Sequence, residues 1–368
     1  MIRLKDLPPL FLGHRLTEIT YFVTSRCNLK CQHCFIIKRL NTESDELSAE
    51  EIARIGEYIG PLQRVFIGGG EPFMRKDIAE VLCAISEKWD PGVMCIPTNG
   101  TLPDKVIGAL NTIGGRHGRR YRLHLSMNTY GQEYADFVGE NHDYSAWLSN
   151  AKRISNAAHG YDNVTLVALL TVGSCENQDA EGLLRVAAEE LRVDDISLGL
   201  VREHDDYRPV PDVVEFRRLV KQHMRGKRGE HALLEVYRNL IRDYQADYYD
   251  APHYQVPCQA EKLRVVIAPE GSVYPCEKLG YPEAEGLDRW SLGNVRDYDY
   301  NLPAILMSER AKEIQLAIRN SRCHCQQCID LGLNLMASHR FKARLLAKWI
   351  SRSARNILDS VQSGCDDI

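Results

Sequence analysis

Residues 18–35 read EITYFVTSRCNLKCQHCF, a run of mostly apolar and β-branched residues followed directly by three cysteines. The run is typical of a buried strand, so the cysteines, spaced Cys27-x3-Cys31-x2-Cys34, are predicted on the loop that follows it. Three thiolates at this spacing can hold three irons of a [4Fe–4S] cube and leave the fourth iron without a protein ligand. Zinc is the alternative, since structural zinc takes four ligands and His33 can supply the fourth.

The sequence up to residue 202 alternates between strand and helix patterns. The predicted strands are Glu18–Thr24, Arg64–Ile67, Val93–Pro97, Tyr121–Ser126, Val164–Thr171 and Asp195–Val201. The predicted helices are Ser48–Ile59, Asp77–Trp89, Asp104–Ile113, Tyr144–Ala158 and Asp179–Leu191, of which the first opens with a capping box at Ser48 and Glu51. Six βα units imply a parallel sheet that curls into a partial or full barrel.

Polar or glycine-rich residues follow these strands where each strand ends. They are Gly68-Gly69-Gly70-Glu71-Pro72, Thr98-Asn99-Gly100, Ser126-Met127-Asn128, Thr171 and Arg202-Glu203-His204-Asp205. Each segment alone is typical of a turn. Parallel α/β barrels place their active sites at the carboxyl ends of their strands, so the shared position favours one common site.

The cysteine motif with an aromatic residue at His33, followed by the Gly-Gly-Glu-Pro motif, resembles the radical S-adenosylmethionine (SAM) superfamily over residues 18–202. The resemblance implies that Cys27, Cys31 and Cys34 bind a [4Fe–4S] cluster whose open iron is chelated by SAM. One electron from this cluster would break the C5′–S bond of SAM, and the resulting 5′-deoxyadenosyl radical would take a hydrogen atom from substrate.

The same resemblance implies the residues that contact SAM. His33 would lie against the adenine, Gly69, Gly70 and Glu71 would bind the amino group, and Ser126 and Asn128 would lie near the carboxylate and ribose. Members of the superfamily often have aspartate where Asn128 stands.

A second set of cysteines lies near the C-terminus, as Cys258-x12-Gly271-x4-Cys276 and Cys325-x2-Cys328. Four cysteines can ligate every iron of a second [4Fe–4S] cluster, and they are also a common zinc set. The layout resembles the twitch domain, the shortened relative of the SPASM domain, and looks most like that of the butirosin-pathway alcohol dehydrogenase. Two clusters in total are therefore expected, the second for electron transfer, with Cys323 either a bystander or a replacement ligand.

The predicted fold class is α/β. A partial (β/α)6 TIM-like barrel is expected at residues 1–226, a linker at 227–257 and a small α+β iron–sulfur domain, twitch- or SPASM-like, at 258–330. Val265–Ala268 and Val273–Tyr274 should form a hairpin in that domain. Residues 331–368 read as one basic helix whose apolar face holds Phe341, Leu345, Leu346, Trp349 and Ile350. Such a helix can pack on its own protein, lie on a membrane surface or meet a partner.

Composition restricts the protein class. The chain has 368 residues with a formal charge of −4, so no general basic field points to nucleic acid. It has no apolar run long enough to span a bilayer and no signal peptide pattern at its N-terminus, which predicts a cytoplasmic protein. Twelve cysteines in that compartment indicate metal or redox chemistry rather than disulfides. A flavodoxin- or ferredoxin-type protein is the expected electron donor.

Three hypotheses for function remain open at this point. The first is oxidation or rearrangement of a polar small molecule, such as a sugar or cyclitol alcohol. The second is modification of a ribosomal peptide by cross-linking or epimerisation. The third is a non-catalytic zinc or iron–sulfur binding module. Glu203, His204 or Asp205 can accept a proton during an oxidation, unless these residues form a solvated loop.

Overall fold

The chain forms two compact units in the computed structural model, which describes residues 16–139, 142–176, 178–202, 212–223, 232–280, 289–325 and 328–351. The barrel unit holds the described residues up to 212 together with 260–321, and the helical unit holds those of 213–259 and 322–351. The predicted domain boundaries at 226, 257 and 330 do not coincide with this division, because 260–321 packs with the barrel.

Among the described residues, the sheet of the barrel unit contains six consecutive strands that run parallel, which confirms the predicted partial (β/α)6 barrel. They are β1 (Glu18–Thr24), β2 (Arg64–Gly69), β3 (Val93–Thr98), β4 (Tyr121–Ser126), β5 (Val164–Val172) and β6 (Asp195–Leu200). All seven residues of β1 are buried, as expected for a strand covered on both faces. Because the six strands are parallel, their carboxyl ends meet at one edge of the sheet.

Helices connect these strands much as the sequence predicts. They are α1 (Ala49–Ile55), α2 (Ile78–Ala84), α3 (Pro103–Ile113), α4 (Glu133–Val138), α5 (Tyr144–Ala158) and α6 (Ala180–Arg185). Helix α1 begins with the predicted capping box of Ser48 and Glu51. Helices α2 and α6 each continue into a π-helical turn, at Ile85–Trp89 and Val186–Glu190. Short 3-10 turns occupy Ile37–Arg39 and Pro72–Met74.

The predicted hairpin is present, but it belongs to the barrel sheet. Strand β7 (Arg264–Ile267) pairs in parallel with β1 and antiparallel with β8 (Ser272–Tyr274), which pairs with β9 (Gly293–Asn294). The resulting order is β6-β5-β4-β3-β2-β1-β7-β8-β9. A 3-10 turn at Val295–Tyr298 and helices α9 (Leu302–Leu306) and α10 (Glu309–Asn320) follow.

The helical unit corrects the prediction of a linker at 227–257. Helix α7 (Val213–His223) is followed there by the 19-residue helix α8 (Ala232–Asp250). Val236 and Leu240 of α8 are buried, and Tyr237 and Tyr244 pack beside them. The tyrosines therefore complete an apolar face at helical spacing.

The sequence predicts a single helix from residue 331 onward, but the described part of this region contains two helices. Helix α11 (Cys328–Ala337) ends before Ser338, and a second helix runs over 339–351, where the described residues end. Phe341 and Leu345 of the second helix are buried in a cluster with Val236, Leu240, Leu331, Leu335 and Met336. Two of the five residues of the predicted apolar face therefore pack on their own unit, whereas Leu346 and Ile350 are exposed. In the described part of the chain, no helix has the length and apolar character needed to cross a membrane.

Candidate functional site

The loop that carries the first three cysteines has a defined backbone. The side chain of Asn41 accepts a hydrogen bond from the Cys27 amide at 3.0 Å and donates one to the Cys27 carbonyl at 3.1 Å. The Leu29 amide donates to the Cys27 sulfur at 3.5 Å, and the Cys34 amide donates to the Cys31 carbonyl at 3.0 Å. The three thiols are therefore presented by a structured turn.

Helix α4 holds the middle of this loop in place. The Lys30 amide donates to the Val138 carbonyl at 2.8 Å, and the Gln32 amide donates to the Phe137 carbonyl at 3.0 Å. The imidazole of His33 stacks on the Phe137 ring, with 5.1 Å between centroids. Helix α4 is not among the helices predicted from the sequence, so this support for the cysteine loop was not expected.

The three thiols lie close enough to affect one another electrostatically. Burial raises the pKa of the Cys31 thiol to about 12, and negative charge on Cys34 and Cys27 adds to the rise. Burial likewise raises the pKa of Cys34 to about 11. Thiolates in this position need a cationic partner to offset their burial and mutual repulsion, and iron supplies one. The donor set thus fits three irons of a [4Fe–4S] cluster.

The glycines of the Gly68-Gly69-Gly70 segment are required by the approach of two backbones. A Cβ on Gly69 would lie 2.2 Å from the Thr24 carbonyl oxygen, and one on Gly70 would lie 2.1 Å from that of Arg26. Gly69 also has a φ of +106°, which L side chains rarely adopt. The amides of Gly70 and Glu71 donate to the Thr24 and Arg26 carbonyls at 2.9 and 2.8 Å. The glycine segment therefore packs directly beneath the start of the cysteine loop.

Glu71 connects the ends of β2 and β3. Its side chain is 2% exposed and accepts hydrogen bonds from the Thr98 hydroxyl at 3.0 Å, the Asn99 amide at 2.6 Å and the Phe73 amide at 3.3 Å. Burial raises its pKa to about 7, against the opposing effect of these donors. The carboxylate is thus engaged by its own chain, and its predicted contact with the SAM amino group stays a prediction.

Asn99 ties the end of β3 back to the cysteine loop. Its side-chain amide donates to the Asn28 side-chain oxygen at 3.0 Å, and the side-chain amide of Asn28 donates to the Thr101 hydroxyl at 2.8 Å. The Trp147 indole donates to the Asn99 carbonyl at 2.8 Å. The sequence did not indicate a role for Asn28 or Thr101 in these contacts, although Asn28 directly follows the first cysteine.

Asn128 joins the ends of β4 and β5 and reaches His33. Its side-chain oxygen accepts from the Thr171 amide at 2.9 Å, and its side-chain nitrogen lies 3.5 Å from His33 Nε2. Gln178, which the sequence did not single out, donates to the carbonyls of both Asn128 and Thr171. Ser126 is the last residue of β4 and pairs with Leu169 in β5.

The structure therefore links the cysteine loop to the ends of β2, β3, β4 and β5 through backbone hydrogen bonds and side-chain contacts. The candidate proton acceptors Glu203, His204 and Asp205 lie outside the described residues. Of the second cysteine set, Cys276 is buried in the barrel unit, while Cys258, Cys323, Cys325 and Cys328 belong to the helical unit.

Comparison with known proteins identifies two domains. The family model of the radical SAM superfamily matches residues 21–184, and that of the SPASM iron–sulfur cluster-binding domain matches residues 258–329. GTP 3′,8-cyclase of Ectopseudomonas mendocina is 24% identical over 296 residues, 75% of this chain and 83% of that protein. The subtilosin biosynthesis protein AlbA of Bacillus subtilis is 24% identical over 335 residues, 87% of this chain and 69% of that protein.

A solved structure shares the fold. SuiB of Streptococcus suis, bound to SAM, superposes with a TM-score of 0.58 at 18% identity, covering 89% of this chain and 75% of that one. The two domains imply SAM and two [4Fe–4S] clusters as cofactors, which the predicted cysteine sets can accommodate. The chain therefore carries a radical SAM domain at residues 21–184, followed in sequence by a SPASM iron–sulfur cluster-binding domain at residues 258–329.

Proposed function

We propose that this chain is a radical SAM enzyme that abstracts a hydrogen atom from a peptide substrate. The radical SAM part of this proposal is best supported by the backbone hydrogen bonds at 2.9 and 2.8 Å that join the start of the cysteine loop to the glycine segment. When bound, a reduced [4Fe–4S] cluster supplies the electron that cleaves SAM to methionine and a 5′-deoxyadenosyl radical. The protein's part is to hold the two cofactors together and to keep water from the site.

The residues near the cysteine loop divide this work. Cys27, Cys31 and Cys34 would hold the cluster, and His33, fixed between Phe137 and Asn128, would hold the adenine. Gly69, Gly70 and Glu71 would meet the SAM amino group. Because the Glu71 carboxylate already accepts from three donors of its own chain, we assign this contact to the backbone of the motif. The carboxylate then acts by fixing that backbone.

A peptide is the substrate class that the similar proteins favour. AlbA, a bacteriocin biosynthesis protein, aligns with 87% of this chain, a span that must include parts of both domains. SuiB, which has the same fold, has also been solved with its precursor peptide SuiA. Oxidation of a polar small molecule is the second candidate. It is favoured by the predicted ligand set of the second [4Fe–4S] cluster, here called the auxiliary cluster, because Cys258, Cys276, Cys325 and Cys328 suffice for one such cluster.

We infer two further properties from the chemistry. A flavodoxin- or ferredoxin-type protein is the proposed electron donor, because the cluster must be reduced by one electron at a time. The cytoplasm is the proposed location, since twelve cysteines persist as thiols and cluster ligands in a reducing compartment.

Deuterium transfer tests these assignments. The reconstituted protein would be given SAM and a reductant, without oxygen, with deuterated peptides encoded near its gene, deuterated sugar or cyclitol alcohols, or deuterated GTP. We expect deuterium in 5′-deoxyadenosine from a peptide. Transfer only from an alcohol would instead establish the second candidate, and transfer only from GTP would refute both.

Two variants serve as controls for this assay. Cys31→Ala should abolish 5′-deoxyadenosine formation, because it removes one of the predicted cluster ligands. Cys83→Ala should not, since Cys83 is a half-buried thiol in α2 and belongs to neither set of predicted cluster ligands.

A further inference from the structure

A triad of charged side chains lies in the barrel unit, with Glu277 and Arg264 buried and Arg202 half-buried. Glu277 is 4% exposed and accepts a hydrogen bond from the Arg264 guanidinium at 2.6 Å and another from the Arg202 guanidinium. Arg264 is 1% exposed and also donates to the Thr20 hydroxyl of β1 at 2.6 Å. The two arginines thus share one carboxylate.

The triad joins two distant positions of the sheet. Arg202 follows β6, whereas Arg264 begins β7, and five strands separate β6 from β7 in the sheet order. In a flat sheet with strands about 4.8 Å apart, β6 and β7 would lie about 29 Å from each other. One carboxylate can pair with both arginines because the sheet curls. Glu277 therefore bridges the end of β6 and the start of β7 across the curled sheet.

The same triad reaches the neighbours of both sets of predicted cluster ligands. The guanidinium carbon of Arg202 lies 4.5 Å from the centroid of the Phe35 ring, and Phe35 directly follows Cys34. Glu277 directly follows Cys276. Arg202 thus contacts the residue next to one predicted ligand of each cluster.

Buried ion pairs hold a defined geometry. A charge left alone in the interior carries a large desolvation penalty, so the carboxylate stays between its two guanidinium partners. The planar guanidinium of Arg202 can donate to the carboxylate while it stacks on an aromatic face, which a lysine cannot do equally well. The backbone on either side of Glu277, including Cys276, is consequently held against the end of β6 and the cysteine loop.

We propose that Arg202 is a positioning residue for the auxiliary cluster. Through its contacts with Glu277 and Phe35, Arg202 sets the location of Cys276 relative to the loop of Cys34. This inference rests on the proposed assignment of Cys276 as an auxiliary-cluster ligand. That assignment is tested separately by Cys276→Ala, which should remove the auxiliary signal from the electron paramagnetic resonance spectrum. If Cys276→Ala leaves both signals intact, the ligand assignment fails and the positioning role fails with it.

The test of Arg202 compares three variants of the full, reconstituted chain. Arg202→Met removes the contacts with Phe35 and Glu277 but leaves Glu277 paired with Arg264. Arg202→Lys keeps the charge. Arg122→Met is the matched control, because Arg122 pairs with Asp195 at 2.7 Å with similar side-chain exposure, 27% against 26% for Arg202.

Iron content, paramagnetic resonance and cluster midpoint potentials are the readouts. Addition of SAM identifies the signal of the cluster with the open iron, so the other signal reports the auxiliary cluster. We expect Arg202→Met to shift the auxiliary signal and its potential, or to lower iron from about eight toward four per chain. Arg202→Lys should restore the signal in part, and Arg122→Met should match the wild type.

Two results would overturn the inference. One is an auxiliary signal, potential and iron content in Arg202→Met that equal those of the wild type. The other is an equal change in Arg122→Met, which would show a general response to loss of a barrel ion pair. If Arg202→Met does not fold, Arg202→Lys decides the matter, and a wild-type auxiliary signal in that variant counts against the role of the guanidinium.

Discussion

Replacing Gly70 with alanine should separate the glycine segment from the cysteine loop. The new Cβ would lie 2.1 Å from the Arg26 carbonyl oxygen and 2.5 Å from its carbonyl carbon, whereas ordinary contacts start at 3.4 Å. Both atoms belong to the backbone, so no side-chain rotation relieves the clash. The two segments must move apart by about 1 Å, which breaks the bond between the Glu71 amide and the Arg26 carbonyl and displaces Cys27.

The expected cost follows from these two effects. Overpacking of a close contact typically costs about 1–3 kcal/mol, and loss of a hydrogen bond adds about 1 kcal/mol. We therefore expect Gly70→Ala to destabilise the barrel unit by about 2–4 kcal/mol. Gly108→Ala is the matched control, because nothing lies within 4 Å of a Cβ at Gly108 in α3. A compatible change of this kind stabilises by up to about 1 kcal/mol.

Two measurements test this prediction: the iron content after reconstitution, and the denaturant unfolding of the metal-free chain. Gly70→Ala should lose iron during reconstitution and unfold at lower denaturant, whereas Gly108→Ala should do neither. If Gly70 served solely to admit SAM, Gly70→Ala would have wild-type stability when metal-free and wild-type iron content after reconstitution. Wild-type values for both quantities in Gly70→Ala would refute the packing explanation.

Three further predictions concern other contacts. Because the pKa of Glu71 is raised from 4.5 to about 7, the unfolded chain loses this proton at lower pH than the folded chain. Stability of the metal-free barrel should therefore fall by up to about 3 kcal/mol as pH rises from about 4.5 to 7. Glu71→Gln should remove that slope in unfolding curves, and an unchanged slope would contradict the assignment. Asn128→Ala removes the bond to the Thr171 amide and the contact with His33. SAM affinity should therefore fall at least tenfold in equilibrium binding, while the iron content stays constant. An affinity equal to that of the wild type would exclude a role of Asn128 in SAM binding. Phe341→Ala should destabilise the helical unit by about 3–5 kcal/mol, seen as faster hydrogen exchange in α8 and α11 with unchanged exchange in β1–β6.

The six strands and their active edge could be predicted because their signals are local. Each strand is a short apolar run, and chemistry-bearing residues such as Glu71 and Asn128 directly follow their strands. The capping box at Ser48 and the turn at Gly271 are likewise encoded within a few residues. Such features need no knowledge of which elements pack together.

Features that depend on tertiary packing were not predicted. The hairpin containing Gly271 was recognised, but nothing in its sequence shows that β7 docks in parallel on β1. Helix α8 was missed because its tyrosines lower its apparent hydrophobicity, although Tyr237 and Tyr244 pack against the core. The glycines were expected to admit a ligand, whereas the structure shows that Gly70 is also required by the Arg26 backbone. The shared pairing of Glu277 with Arg202 and Arg264 links residues up to 75 positions apart.

Reductive cleavage of SAM is the most direct test of the proposed chemistry. The anaerobically reconstituted protein would be mixed with SAM and dithionite, and 5′-deoxyadenosine would be quantified against matched Cys31→Ala and Cys83→Ala samples. We expect 5′-deoxyadenosine to form in the wild type and in Cys83→Ala and to be absent in Cys31→Ala. A wild-type protein that carries its full complement of iron, yet produces no 5′-deoxyadenosine, would contradict the proposal that this chain generates a radical from SAM.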